Sequence, residues 1–255
     1  MILDQFNLKG KCGLVTGGGS GIGKGMAAGL AEAGAKVALA GRTLGKLEKA
    51  ATEMAASGLQ AFPFQVDMAK PESIANLAES VIAAFGRIDF LFNNAGLIHR
   101  APLEEFPIEK WEEMIKVNLT GPFLLSQAVA RHMIEQEIKG SIVNTSSLIA
   151  VFGGVTVPSY AATKGGLTQL TKSMCNDLAK YGIRVNAIGP GWVKTEMTEA
   201  LQNDSGRNQA ISARIPLGRW ADPKDLAGLA VFLASEASAY ITGQVIFIDG
   251  GYMAM

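Results

Sequence analysis

Tyr160 and Lys164 stand four residues apart in a segment with helical patterning. Side chains at that spacing share a helix face, with Cβ atoms about 5–6 Å apart. A phenol titrates near 10, so alone it is a poor base and a moderate acid at neutral pH. A neighbouring ammonium favours the phenolate and draws the phenol toward the working range. Upstream, a short apolar strand from Ser141 to Asn144 leads into Ser146 and Ser147. A hydroxyl at the end of such a strand can hydrogen-bond a substrate oxygen that gains or loses the proton. Proton transfer at a carbon-bound oxygen is the chemistry this arrangement allows. An ordinary helix surface offers the same spacing, so the reading turns on whether a nucleotide site shares the sheet.

Composition removes several classes. The chain has 255 residues, 48% of them hydrophobic, enough for a substantial core, and no Pro/Ser-rich linker or charge block divides it. Lys plus Arg equal Asp plus Glu at 23 each, so nothing calls for nucleic acid or an anionic membrane. No long apolar run and no signal-peptide pattern occur, and a cytosolic protein is expected. Cys12 falls in an expected buried strand and Cys175 in an expected helix, which favours two reduced structural thiols over a disulfide or a metal site.

The elements that must position Tyr160 begin at an apolar run, Lys11 to Thr16, which opens into Gly17, Gly19, Ser20, Gly21, Ile22 and Gly23 and then a helical pattern from Lys24 to Ala33. Strand, glycine turn and helix make a phosphate site, because the backbone can approach a pyrophosphate and the helix N-terminus offers free N–H groups. A second strand, Lys36 to Ala40, ends at Gly41 and Arg42 with no acid until Glu48. An acid there would bind a ribose 2′-OH, whereas an arginine accommodates a 2′-phosphate. Arg42 therefore argues for NADP(H), although a solvated surface arginine would look the same. The glycine turn carries no basic residue, which leaves NAD(H) open.

A helix from Leu44 to Ser57 and a strand from Gln60 to Val66 lead to Asp67, placed either to receive an adenine amino group or to start the next helix. After a helix from Pro71 to Phe85, the strand Ile88 to Phe92 runs into Asn93, Asn94, Ala95 and Gly96, a turn suited to pass close to a ribose. Just beyond lie His99, a titrating group, and Arg100, which could pair with a substrate carboxylate or simply be solvated.

A long helix from about Ile108 to Gln136 carries Asn118 within an apolar face, where the amide would hold a water or a lysine, or tie helix to loop. His132 looks like a helix-surface residue. Beyond the central stretch come a strand from Ile183 to Ile188 and the polar, irregular segment 192–220, with Arg207, Arg214 and Arg219, whose length suits a substrate lid. A helix from Pro223 to Ser235 and a strand from Gln244 to Ile248 close the series, and the apolar tail after Asp249 suggests a subunit contact. Strands alternate with helices throughout, so the expected fold is α/β: a single domain built on a doubly wound (Rossmann) parallel sheet.

With these residues assembled, the chain resembles the short-chain dehydrogenase/reductase family over its whole length. The Thr16–Gly23 turn, Asn93–Gly96, Asn118, Ser147, the Tyr160/Lys164 pair, and Pro190-Gly191 with Thr195 fall in the family's order and spacing. The resemblance implies Tyr160 as general acid/base, Ser147 as stabiliser of the substrate oxygen, and Lys164 as the group that binds the nicotinamide ribose and lowers the tyrosine pKa. Asn118 would anchor a proton-relay water. Cofactor contacts would come from Thr16 and the glycine turn, Arg42, Asp67, Asn94 to Gly96, Tyr160, Lys164, Pro190, Gly191, Val193 and Thr195. His99, Arg100 and Trp192 would face the substrate. The family also implies seven strands, helices on both faces, and a homotetramer.

Further likeness, in Asn94–Phe106, Val157–Tyr160 and Arg214–Trp220, points to a bacterial sugar-acid branch. It implies interconversion of a hydroxyl and a ketone on a carboxylate-bearing sugar of the gluconate, ketogluconate or deoxyketogluconate type. Reduction of a 3-oxoacyl thioester on a carrier protein shares every catalytic motif. A silent nucleotide-sensing protein is disfavoured because no catalytic position is missing.

Overall fold

Seven short apolar runs form strands: β1 (Cys12–Thr16), β2 (Lys36–Gly41), β3 (Ala61–Gln65), β4 (Phe90–Asn93), β5 (Ser141–Thr145), β6 (Arg184–Pro190) and β7 (Val245–Ile248). In the computed structural model, which describes residues 1–254, they pair in parallel in the order β3-β2-β1-β4-β5-β6-β7. β1, β4 and β5 are buried at every position, as expected for strands covered on both faces.

Among the described residues ten α-helices connect or flank them: α1 (Gly21–Glu32), α2 (Leu44–Ala56), α3 (Pro71–Phe85), α4 (Ile108–Ile115), α5 (Gly121–Glu135), α6 (Ile149–Phe152), α7 (Pro158–Leu178), α8 (Glu199–Asn203), α9 (Ser205–Ala213) and α10 (Ala227–Ala234). Alternation along the strands feeds two cores. Val15, Val37, Leu39, Phe90 and Phe92 pack with α1, α2 and α10 on one face, while Leu14, Ala38, Leu91 and Ile142 pack with α3 and α5 on the other. No helix of the described residues is long and apolar enough to cross a membrane.

Strand order reverses between β1 and β4, and their C-terminal ends open the crevice in which ligands of such sheets bind. Four sequence expectations are corrected. The helix expected over 108–136 is broken by a π-helical turn at Lys116–Thr120, where the Gly121 N–H reaches the Lys116 carbonyl. Pro122 has no N–H, so the ordinary four-residue register cannot continue past Asn118. The irregular segment 192–220 instead holds α8 and α9, whose shortness hides their periodicity. His132 is buried, only 9% exposed, because α5 sinks more than one stripe against the sheet and α3. In the tail, Tyr252 is buried beside Trp192 and Trp220 rather than presented outward, whereas Met253 and Ala254 are exposed; Met255 lies outside the described residues.

Candidate active site

The nucleotide side of the crevice is assembled from the ends of β1 and β4. Thr16 is fully buried, and its hydroxyl accepts the main-chain N–H groups of Asn94 (2.9 Å) and Ala95 (3.0 Å). Asn94 Nδ2 returns a bond to the Thr16 carbonyl at 3.0 Å. Gly17 follows at φ +68, a left-handed conformation, and a Cβ there would lie 2.8 Å from Asn94 Nδ2. Glycine is thus required both by the turn and by the close approach of the β4 loop.

The turn delivers the chain into α1 with Ser20 as N-cap, whose side chain makes no cap bond, and no acid sits in the first turn. The first N–H groups of α1 and the positive end of its dipole therefore remain available to a pyrophosphate. A cavity of about 310 Å³ lies there, lined by Gly17, Gly19, Ser20, Arg42, Thr43, Lys46, Asp67, Ala95 and Gly96 among others. These residues fit a dinucleotide carrying a 2′-phosphate. Lys46 supplies a second cation that the sequence reading did not assign. Asp67 serves a local turn as well, its carboxylate accepting the Ala69 N–H at 3.0 Å.

Tyr160 and Lys164 lie on one face of α7, with Lys164 Nζ 5.5 Å from the ring centroid of Tyr160. Lys164 is buried and donates to the Thr145 carbonyl at 2.6 Å, which fixes it at the end of β5. A Cβ on Gly96 would lie 3.8 Å from Lys164 Nζ and 3.4 Å from Asn118 Oδ1, so the pair sits directly beside the turn expected to pass a ribose.

Burial raises the Tyr160 phenol to about 12, with Ser147 hydrogen bonding and the Arg100 charge pulling it back. Burial also lowers the Lys164 ammonium to about 8. The sequence pattern alone predicts a full ammonium depressing the phenol. Here burial disfavours the charge on both groups, and Tyr160 is poised as a proton donor.

Asn118 is fully buried and clamps the β4 loop: its Oδ1 accepts the Leu97 N–H at 2.8 Å and its Nδ2 donates to the Leu97 carbonyl at 2.9 Å. The helix-to-loop tie is thus the role its side chain performs, and Pro122, lacking an N–H, denies its main-chain carbonyl the ordinary helical donor. Behind the site, Asn93 donates to Ser126 (2.8 Å) and to Asn144 (2.9 Å), and Asn144 donates to Thr171 at 2.9 Å. Sequence reasoning missed this buried chain, which locks β4, β5, α5 and α7 together and so sets the height of Tyr160.

A second cavity, about 660 Å³, opens beyond Tyr160 and is lined by Ser147, Tyr160, Pro190, Gly191, Trp192, Val193 and Thr195, with Ile22 at the nucleotide side. Arg100 lines it as expected; Arg207 and Arg214, named in the sequence but given no role, line it too. Thr195 closes against the glycine turn, its Cγ2 lying 3.2 Å from where a Cβ on Gly21 would stand. His99 is not on this wall and packs edge-on against Phe106 at 5.5 Å. Thr16, Gly23, Asn94, Lys164 and Asn118 act from behind the cavity surfaces. No cluster of metal-ligating side chains occurs among the described residues.

The fold and this crevice define a dinucleotide-dependent oxidoreductase, and comparison with known proteins places it. A family model described as enoyl-(acyl carrier protein) reductase matches residues 17–253. The 2-dehydro-3-deoxy-D-gluconate 5-dehydrogenase of Dickeya dadantii is 42% identical over 254 residues, covering 100% of both chains. The 5-keto-D-gluconate 5-reductase of Escherichia coli K12 is 41% identical, covering 98% of each. A crystal structure of a gluconate 5-dehydrogenase from Burkholderia cenocepacia in complex with NADP and tartrate superposes with a TM-score of 0.95 at 41% identity, covering 100% of both chains. The chain belongs to the short-chain dehydrogenase/reductase family, and it is an NAD(P)-dependent oxidoreductase acting on a CH–OH group.

Proposed function

We propose that the protein interconverts a hydroxyl and a ketone on a gluconate-type sugar acid, with NADP(H) preferred. The observation that carries this reading is the convergence of Tyr160, Ser147 and Arg100 on one cavity that adjoins the Arg42-lined nucleotide crevice. The names of the full-length relatives support the substrate class, and the complex of the Burkholderia cenocepacia enzyme supports the cofactor.

Bound NADP(H) supplies or takes up the hydride. In the reductive direction Tyr160 donates its phenolic proton to the ketone oxygen while the Ser147 hydroxyl hydrogen-bonds the same atom. Lys164, fixed to the Thr145 carbonyl, places its amine beside Tyr160 and the ribose turn at Gly96. In the oxidative direction Tyr160 recovers the proton. The Asn118 carbonyl holds the water through which Tyr160 re-equilibrates with solvent. Arg42 and Thr43 would hold the 2′-phosphate, with Lys46 joining them by exchanging its Glu196 partner, and the segment 192–220 would cover the substrate.

We further infer one catalytic unit over 1–255, a cytosolic location and a homotetramer. The free thiols of Cys12 and Cys175 support the location. A shallow groove on α5 and α7 lined by Leu119, Phe123, Gly166 and Leu170, with Phe123 42% exposed, supports assembly through that face. Light scattering on the purified protein tests the tetramer; a monomer removes it. Steady-state assays with 5-ketogluconate, gluconate, deoxyketogluconates and an acetoacetyl thioester test the activity. Turnover of a sugar acid is expected, and turnover of the thioester alone overturns the reading.

A further inference from the structure

The cavity beyond Tyr160 is unbalanced in charge. Arg100, Arg207 and Arg214 line it, and no aspartate or glutamate does. None of the three guanidiniums forms an ion pair among the described residues. The nearby acids are committed elsewhere: Asp204 accepts the Arg207 main-chain N–H at 3.0 Å as the N-cap of α9, and Glu196 pairs with Lys46 at 2.7 Å.

The three arginines are not equivalent. Arg214 lies over the Tyr252 ring at 4.4 Å, so an aromatic face already engages it. Arg100 comes from the loop after β4, whereas Arg207 comes from α9, and among the described residues neither fork is paired with an acid. Burial and the Arg207 charge together hold the Arg100 guanidinium below its ordinary range, so these two positive groups share one neighbourhood. Two planar five-donor forks facing one space match a single carboxylate, which offers two oxygens and about four lone pairs. Ile98, Ile149, Val155, Leu201 and Ile211 line the same cavity, and its remaining polar groups, such as Ser147, Tyr160 and Thr198, are uncharged, so no competing anion is offered.

We propose that Arg207 is a specificity-determining residue, the mobile half of a clamp that holds the substrate carboxylate between itself and Arg100, so that the carboxylate draws the 192–220 segment over the cavity. The inference deepens the sugar-acid reading and rests on it. It assigns the anionic end of the substrate to the mouth under α9 and the reacting oxygen to Tyr160 and Ser147, and it predicts selection against neutral polyols.

The test uses the enzyme saturated with NADPH and two readouts: KM and kcat for 5-ketogluconate, and the dissociation constant of tartrate followed by the fluorescence of Trp192 in the cavity wall. Arg207→Gln should raise KM and weaken tartrate binding by about 10- to 100-fold, with a smaller change in kcat. Arg207→Lys should restore part of both, since it returns the charge without the fork. Values within twofold of wild type for both readouts in Arg207→Gln overturn the clamp, as does a large loss in Arg214→Gln with none in Arg207→Gln. Unchanged NADPH affinity in Arg207→Gln establishes that the variant is folded. A wild-type enzyme that binds tartrate through Arg207 yet turns over no sugar acid would sink the functional reading while leaving the anion clamp standing.

Discussion

The two flanks of the crevice are built by different means. On the nucleotide flank, main-chain turns are pinned from the sheet interior: the fully buried Thr16 hydroxyl ties the β1 end to the β4 loop, accepting main-chain N–H groups at 2.9 and 3.0 Å. On the substrate flank, long side chains stand on two short helices held by a small satellite core of Leu201, Ile211, Ile215, Trp220 and Tyr252. The flank that meets the same cofactor at every turnover is rigid, and the flank that chooses the substrate hangs from fewer buried contacts. Tyr160 stands between them, on a helix that the Asn93–Asn144–Thr171 chain anchors from behind.

The division can be broken experimentally. Tyr160→Phe removes the proton carrier without touching either flank, so kcat should fall by about 10³-fold or more while NADPH binding measured by fluorescence stays near wild type. Near-normal turnover would take the chemistry away from this residue. Arg42→Asp strikes only the nucleotide flank. The ratio of kcat/KM for NADP(H) over NAD(H) should drop by about 100-fold with the sugar-acid KM little changed. An unaltered ratio would remove Arg42 from cofactor choice.

The proton itself gives a third measurement. A phenol raised to about 12 is protonated throughout the neutral range, so reduction, which needs the phenol, should be flat between about pH 6 and about pH 8. Oxidation needs the phenolate, whose fraction below the pKa grows about tenfold per unit, and its rate should climb with pH. Ser147→Ala removes a lowering influence and should move the oxidative profile to higher pH still. Oxidation rates independent of pH would contradict a phenol acting as base.

Asn144→Leu tests the anchor behind Tyr160. It removes one hydrogen-bond partner each from Asn93 and Thr171, which keep Ser126 and the Leu167 carbonyl, and should lower stability by about 1–3 kcal/mol in urea titration, with kcat falling more than cofactor affinity. The smallest effect is expected at His99. Packed on Phe106 and away from the cavity wall, it should tolerate Ala with kcat and KM within about twofold, and a large change would return it to the site.

Much of the nucleotide flank was legible in the sequence because its constraints fall on consecutive residues. A glycine forced by Gly17's φ of +68, a helix opening at Gly21 and an arginine at the end of β2 each leave a local mark. The seven strands were legible for the same reason, as short apolar runs between glycine-rich turns. Lys46 was missed although it lies in the first turn of α2, just after Arg42, where a helix N-terminus beside the glycine turn could have marked it. The π turn at Asn118 also had a local sign, Pro122 four residues on, but the long apolar pattern around it masked the break.

The substrate flank was harder to read. Arg207 and Arg214 reach the cavity only because α8 and α9 fold back beneath Trp220, and helices of five and nine residues carry too little periodicity to announce themselves. His132 and Tyr252 were misplaced for a related reason. Each is buried by elements distant in sequence, which no local pattern records.

A crystal structure of the ternary complex with NADP(H) and a sugar acid tests the central claim most directly. The account predicts the reacting oxygen within hydrogen-bonding distance of both Tyr160 Oη and Ser147 Oγ, with the reacting carbon facing the nicotinamide. A sugar acid seated with that oxygen away from Tyr160 would contradict it.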